Sequence, residues 1–208
     1  MKILPTIFLI CFFLGNNNIL RANWGLVVSY QSDNRGYHWD DISTSPLTGI
    51  GISLEYQIFK PNNQFAIIAA LEYLSQRNSY EERDPEGTHI HDSISRVKRL
   101  GIVSYARLSI GFYTPYIGIG GGIEQYDREF IHTAWSRIDW VEKPTNRSES
   151  NPYFYGVAGV QLKIISYFNP FIEFRYYNTS HSNQDFDSDR NKIKTSFTSI
   201  NIGLRLIF

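Results

Sequence analysis

Ile200-Asn201-Ile202-Gly203-Leu204-Arg205-Leu206-Ile207-Phe208 ends the sequence with apolar and polar side chains in alternation. Successive side chains of a β-strand point to opposite faces. Ile200, Ile202, Leu204, Leu206 and Phe208 therefore make one apolar face, and Ser199, Asn201, Gly203 and Arg205 a polar one. This two-residue period recurs upstream, and it decides the fold.

Seven further segments carry the same pattern. Trp24, Leu26, Val28 and Tyr30 oppose Gly25, Ser29 and Gln31, and Ile50, Ile52, Leu54, Tyr56 and Ile58 oppose Gly51, Ser53, Glu55 and Gln57. Ile67, Ala69, Leu71 and Tyr73 oppose Ala66, Ala70 and Glu72, while Leu100, Ile102, Ala106 and Leu108 oppose Arg99, Gly101 and Arg107. Ile117, Ile119 and Ile123 oppose Gly118, Gly120, Gly122 and Glu124. Phe154, Val160, Leu162 and Ile164 oppose Gln161 and Lys163, and Ile172, Phe174 and Tyr176 oppose Glu173 and Arg175. With the last segment, the pattern predicts eight strands.

The amino end has another character. Lys2 precedes an apolar run from Ile3 to Leu14, broken only by Pro5, and a cut after Ala22 follows Asn16-Asn17-Asn18. Residues 1–22 read as a secretory signal peptide, leaving 23–208 as one mature domain. Removing Lys2 and Arg21 leaves 18 basic against 20 acidic residues, a formal charge near −2. The only cysteine, Cys11, leaves with the leader, which excludes a disulfide framework and a cysteine metal cluster. Near-neutral charge argues against a nucleic-acid partner. No later segment approaches the roughly 20 apolar residues of a membrane-spanning helix.

Three short segments contain a proline bracketed by aromatics: Phe59 to Phe65, Phe112 to Tyr116 and Tyr167 to Phe171. They are expected to be tight turns, because proline cannot serve a central strand position. Long polar stretches alternate with them: Ser32 to Pro46, Gln76 to Arg96, Tyr126 to Asn151 and Asn178 to Thr195. Short turns at one end and long hydrophilic loops at the other belong to outer-membrane barrels. A terminal strand that ends on Phe208 suits closure against the first strand, since lipid tolerates no unpaired sheet edge. A soluble barrel would turn the apolar face inward. Aromatics at strand ends on the apolar face, and glycines on the polar face, favour the inverse. The expected fold is all-β: an eight-stranded antiparallel up-and-down transmembrane β-barrel in the outer membrane, surrounded by its lipid.

Eight strands enclose a bore just wide enough for its own side chains. The expected inward charges are Glu55, Glu72, Glu124 and Glu173 against Arg99, Arg107, Lys163, Arg175 and Arg205. An unpaired charge there would cost several kcal/mol, so an ion-pair network plugging the lumen is expected. A general diffusion porin needs about 16 strands. Function then falls to the loops, where Tyr37, Trp39, Tyr80, Trp135 and Trp140 stand among charges such as Glu81, Glu82, Arg83, Arg128 and Arg137. Exposed aromatics beside charges suit contact with an extracellular protein or glycan. No cofactor is expected.

Several stretches resemble the small outer-membrane β-barrel superfamily, with its OmpA/OmpX-type and opacity-type proteins. They are Pro115 to Gly122, Gly156 to Val160, and Glu173 to Tyr177 with the loop after it. The resemblance implies a structural, adhesive or host-interacting surface protein. It also implies that the barrel assembly machinery recognises the Phe208 strand. Arg175 to Asn183 is more weakly similar to lipid A 3-O-deacylases, which carry His-x-Ser-Asn after an Arg. Their base and nucleophile share a strand face, as a hydrogen-bonded pair must. Aligned on Arg175, the base position holds Asn178 with Ser180 as nucleophile; aligned on His181, Ser182 is its immediate neighbour and points away on a strand. The first register has no base, because Asn cannot accept the serine's proton, and the second fails on facing unless the segment is loop, so a lipid A-modifying hydrolase is the alternative reading, with Ser180, His181 and Ser182 its candidates. His89 and His91 share a face of an extended segment with Asp92 nearby, a candidate metal cluster, but two histidines are short of the three or four ligands a site needs.

Overall fold

The computed structural model describes residues 24–34, 46–83, 89–135, 140–164, 167–183 and 191–207. The expected signal peptide (1–22), Tyr37, Trp39, Arg137 and Phe208 lie outside the described residues. Side chains are not described at 80–83, 89–93, 128, 130–135, 140–147, 181–183 and 191–194.

Eight strands follow one another: β1 (Trp24–Asn34), β2 (Leu47–Phe59), β3 (Phe65–Arg83), β4 (His89–Leu108), β5 (Tyr113–Trp135), β6 (Trp140–Leu162), β7 (Phe168–Asn183) and β8 (Asn191–Ile207). Each pairs antiparallel with its sequence neighbour, and β8 pairs with β1 from Gly25↔Ile207 to Asn34↔Thr198, closing the barrel. Closure gives every spanning strand two hydrogen-bonding partners and leaves no open edge.

The alternation sets the wall chemistry. Ile119, Phe154, Ile117 and Ile102 on the outside are 64–75% exposed, whereas Arg99, Arg205 and Glu124 inside are at most 2% exposed. A water-soluble barrel cannot tolerate this inversion, because it would show water its aliphatic side chains and bury its ions. In a bilayer the same outside is solvated. The protein is a transmembrane barrel of the outer-membrane kind.

The apolar outer belt runs from Leu108 to Leu100 on β4, from Ile67 to Tyr73 on β3 and from Leu206 to Ile200 on β8. Nine-residue runs such as Leu100–Leu108 match the 9–11 or so residues a tilted strand needs to cross a bilayer. Aromatics flank it, with Trp24 and Tyr56 in ring contact at 4.8 Å near one rim and Tyr30, Tyr73 and Tyr176 exposed toward the other.

Short connections join strands at one end. In the first, Asn62 Oδ1 accepts from the Gln64 and Phe65 amides at 2.9 and 2.8 Å. The second reverses at Gly111, whose φ of 57° is open to glycine at no steric cost. Pro61 lies in its turn, but Pro115 and Pro170 do not. Each sits near the start of its strand, opposite Val160 and Leu204. Proline is admitted at such strand beginnings because a missing donor is tolerated there.

The other end differs more from expectation. Most of Gln76 to Arg96, Tyr126 to Asn151 and Asn178 to Thr195 is strand, not loop. The β3–β4 ladder reaches Arg83↔Ile90, β5–β6 reaches Trp135↔Trp140 and β7–β8 reaches Asn183↔Asn191. Beyond the belt these stretches are rich in polar residues, so the hydrogen-bond ladder continues without the apolar alternation that marks a strand in the sequence.

Candidate functional site

The barrel interior brings together most of the residues singled out from sequence. Five buried carboxylates, Asp33, Glu55, Glu72, Glu124 and Glu173, face four buried guanidiniums, Arg99, Arg107, Arg175 and Arg205. They fall into three clusters stacked along the bore.

Toward the long hairpins, Arg99 donates from Nε to Glu124 at 2.6 Å, from Nη2 to Asp33 at 2.7 Å and from Nη1 to Gln76 at 3.0 Å. Gln31 steadies the same Asp33, donating at 2.7 Å. Arg175 holds the middle. It donates to Glu72 at 3.0 Å and Glu173 at 2.6 Å, while Asn201 and Tyr116 donate to Glu173 at 2.8 and 2.9 Å. The Tyr155 hydroxyl donates to Glu72. Nearest the short turns, Glu55 accepts from Arg107 at 2.5 Å, from Arg205 at 2.9 Å and from the Tyr105 hydroxyl. Arg205 also reaches Gln161 at 2.6 Å. Fork geometry lets each arginine bridge strands that are not neighbours. Arg99 on β4 reaches Asp33 on β1, and Arg205 on β8 reaches Gln161 on β6.

Two placements differ from the sequence reading. Lys163 is exposed one residue beyond the end of β6 and does not join the clusters. The chain is already turning there, its amide donating to the Phe112 carbonyl at 2.9 Å, so strand parity no longer assigns its side chain to the bore. Asp33 was missed because a polar stretch beginning at Ser32 read as loop, although β1 continues to Asn34.

The bore also holds aromatics. Tyr105, Tyr116, Tyr153, Tyr155, Tyr177, Phe171 and Phe197 are all buried. Tyr177 and Phe197 stack at 4.9 Å with planes 8° apart, and Arg99 lies 4.6 Å from the Tyr177 ring. Arg175 lies 4.8 Å from Tyr155 and Arg205 4.9 Å from Phe171. Each guanidinium thus has carboxylates at its edge and a ring on its face, the two surfaces it can satisfy. Parity with known inward charges, Arg107 for Tyr105 and Arg175 for Tyr177, was the available signal. Glycines make the room: a Cβ on Gly101 would meet the Tyr153 hydroxyl, and one on Gly120 the Tyr155 ring.

The hydrolase candidates lie on β7. Asn178 is exposed on the outer wall, with Ser196 donating to it at 3.3 Å. Ser180 is part-exposed and pairs with Lys194; His181 and Ser182 pair with Ile193 and Lys192, and their side chains lie outside the described residues. The strand runs on through Asn183, so the loop that would let successive residues meet is not formed. His89, His91 and Asp92 belong to β4, where the register sets His91 opposite His132; their side chains are likewise not described. Among the described residues no group of three metal-ligating side chains converges.

No protein-family model and no curated protein matches the chain. Among solved structures, Neisserial surface protein A is similar over 89% of this chain and 96% of its own, at 11% identity and a TM-score of 0.49. Ail, the attachment invasion locus protein of Yersinia pestis, in complex with the heparin analogue sucrose octasulfate, is similar over 89% and 97%, at 15% identity and a TM-score of 0.46. For the N-terminal β-barrel domain of Pseudomonas aeruginosa OprF the figures are 90%, 98%, 11% and 0.39. The fold assignment rests on this chain's own closed strand order and inverted burial.

Proposed function

We propose that the protein is an outer-membrane surface protein whose barrel is a closed anchor and whose three long hairpins make the contacts, with an extracellular protein or glycan as partner. One observation carries this reading: the buried charges of the bore are consumed by one another. Arginines of β4, β7 and β8 bridge carboxylates of β1, β2, β3, β5 and β7, with tyrosine rings between them. A water-filled conduit would leave such groups hydrated and lining a wall. A vestibule of about 320 Å³ does open at the short-turn end, but Arg107, Thr114 and Gln161 bound it. With the bore occupied, the polar hairpins beyond the belt are the large surface left to meet other molecules. Aromatic residues Tyr80, Trp135 and Trp140 belong to their strands.

Cells displaying the whole barrel are compared with cells whose barrel has residues 80–92 and 130–145 replaced by short Gly-Ser turns, on immobilised matrix proteins and glycan arrays. Binding by the whole barrel that is lost in the trimmed barrel, with heat-modifiable gel mobility kept, is the expected result. Equal binding by both overturns the reading.

A further inference from the structure

We propose that the outer wall of β3, β4 and β5, immediately beyond the apolar belt on the long-hairpin side, binds a phosphorylated lipid of the outer leaflet. On β4 the outward series Leu108, Ala106, Ser104, Ile102, Leu100 changes abruptly to Lys98 and Arg96. On β3, Tyr73 is followed on the same face by Ser75 and Arg77. The register sets Arg77 directly opposite Arg96, and Ser75 opposite Lys98. Three exposed cations therefore share one small area of wall.

Like charges directly opposite on paired strands repel and destabilise the pair. The acids nearby relieve only part of this. Glu129 reaches Arg96 at 3.6 Å across an exposed pair. Asp127 is occupied on its other side, accepting from Ser148 at 2.5 Å and Gln125 at 3.4 Å. Among the described residues Arg77 and Lys98 have no acidic partner. An anion is what this arrangement lacks.

The position selects which anion. Cations one step outside the hydrocarbon belt stand at headgroup level, where anionic lipid is concentrated and basic side chains are drawn to it. Below them a wall groove of about 630 Å³ runs down from Lys98 past Tyr73, Leu100 and Ile123, with Gln125, Ser148 and Glu149 along its upper side, the Glu149 carboxylate accepting from Asn151 at 3.4 Å. A ligand that fills both halves has a phosphate at Lys98 and Arg77 and an acyl chain on the aliphatic floor. A soluble phosphate would use the upper half alone. The site rests on the transmembrane reading of the barrel and goes beyond the contact role of its hairpins.

The test uses the full mature chain folded in detergent and followed by native mass spectrometry with added diphosphoryl lipid A, the same lipid stripped of phosphate, or inorganic phosphate. Wild-type protein should retain the diphosphoryl lipid. The R77Q/K98Q variant should bind it about 25-fold more weakly, from about fivefold for each cation at a lipid surface, and the stripped lipid should show a similar loss on wild type. Equal retention of both lipids, undiminished binding by the double variant, or binding of inorganic phosphate as tight as that of the lipid overturns the proposal while the folded barrel stands. Failure of the wild type to give a heat-modifiable species in detergent would instead strike the transmembrane reading, and the lipid site with it.

Discussion

Arg99 is among the most enclosed side chains described, with Asp33 and Glu124 as its acids and Tyr177 and Phe197 on its face. Removing it leaves two buried carboxylates opposed without a cation, and breaking a buried pair in this way costs about 3–5 kcal/mol. Arg99→Ala should lose that much in urea unfolding from vesicles, and adding Asp33→Asn and Glu124→Gln should return part of it. Gly101 tests the tyrosine packing. Gly101→Ala presses a methyl against the Tyr153 hydroxyl, and such overpacking costs about 1–3 kcal/mol. In the Tyr153→Phe background the penalty should shrink; an unchanged penalty in the double-mutant cycle would mean that backbone contacts dominate. The parity of Glu55, Glu72, Glu124, Glu173 and the four arginines was legible in the sequence, because each stands among alternating aliphatics. Asp33 was not, since β1 carries it into a segment with no apolar residues to mark a face.

At the scale of a strand, the belt and the extensions beyond it obey different rules. Ile119 stands in the belt on β5, and Ser150 stands beyond it on the outer face of β6. Ile119→Arg should cost about 2–4 kcal/mol, the penalty of a cation near the bilayer midplane, and Ser150→Arg about 0–1. Equal penalties in reversible unfolding from vesicles would contradict the position assigned to the belt. The hairpin strands also explain why sequence placed loops where ladders continue. Period-two alternation is visible only where one face meets an apolar phase. Asn78↔Ser95 and Asp127↔Ser148 are paired in the same ladders as residues in the belt, yet both partners are polar.

For the whole molecule, three ion clusters and the rings between them make the interior one cross-braced unit. Reconstituted into a planar bilayer, the wild type should show no steady conductance steps. Glu55→Ala with Arg205→Ala, which removes the central ion pair of the cluster beside the vestibule at the short-turn end, should raise the frequency of openings. Large, voltage-independent conductance from the wild type would contradict a closed bore. By itself the sequence determined the strand number, the facing of the belt residues and most of the charges that enter the bore, because alternation is local and covers the wall; Asp33 and Lys163 lie past the ends of that pattern. It could not determine which arginine meets which carboxylate, which ring lies on which guanidinium, or that Arg77 lies beside Arg96. Those depend on the register between strands and on closure of the sheet, which bring Arg99 to Asp33 across 66 residues and Arg205 to Glu55 across 150. Only tertiary structure sets distances of that kind, since no local pattern encodes the stagger of one strand against another.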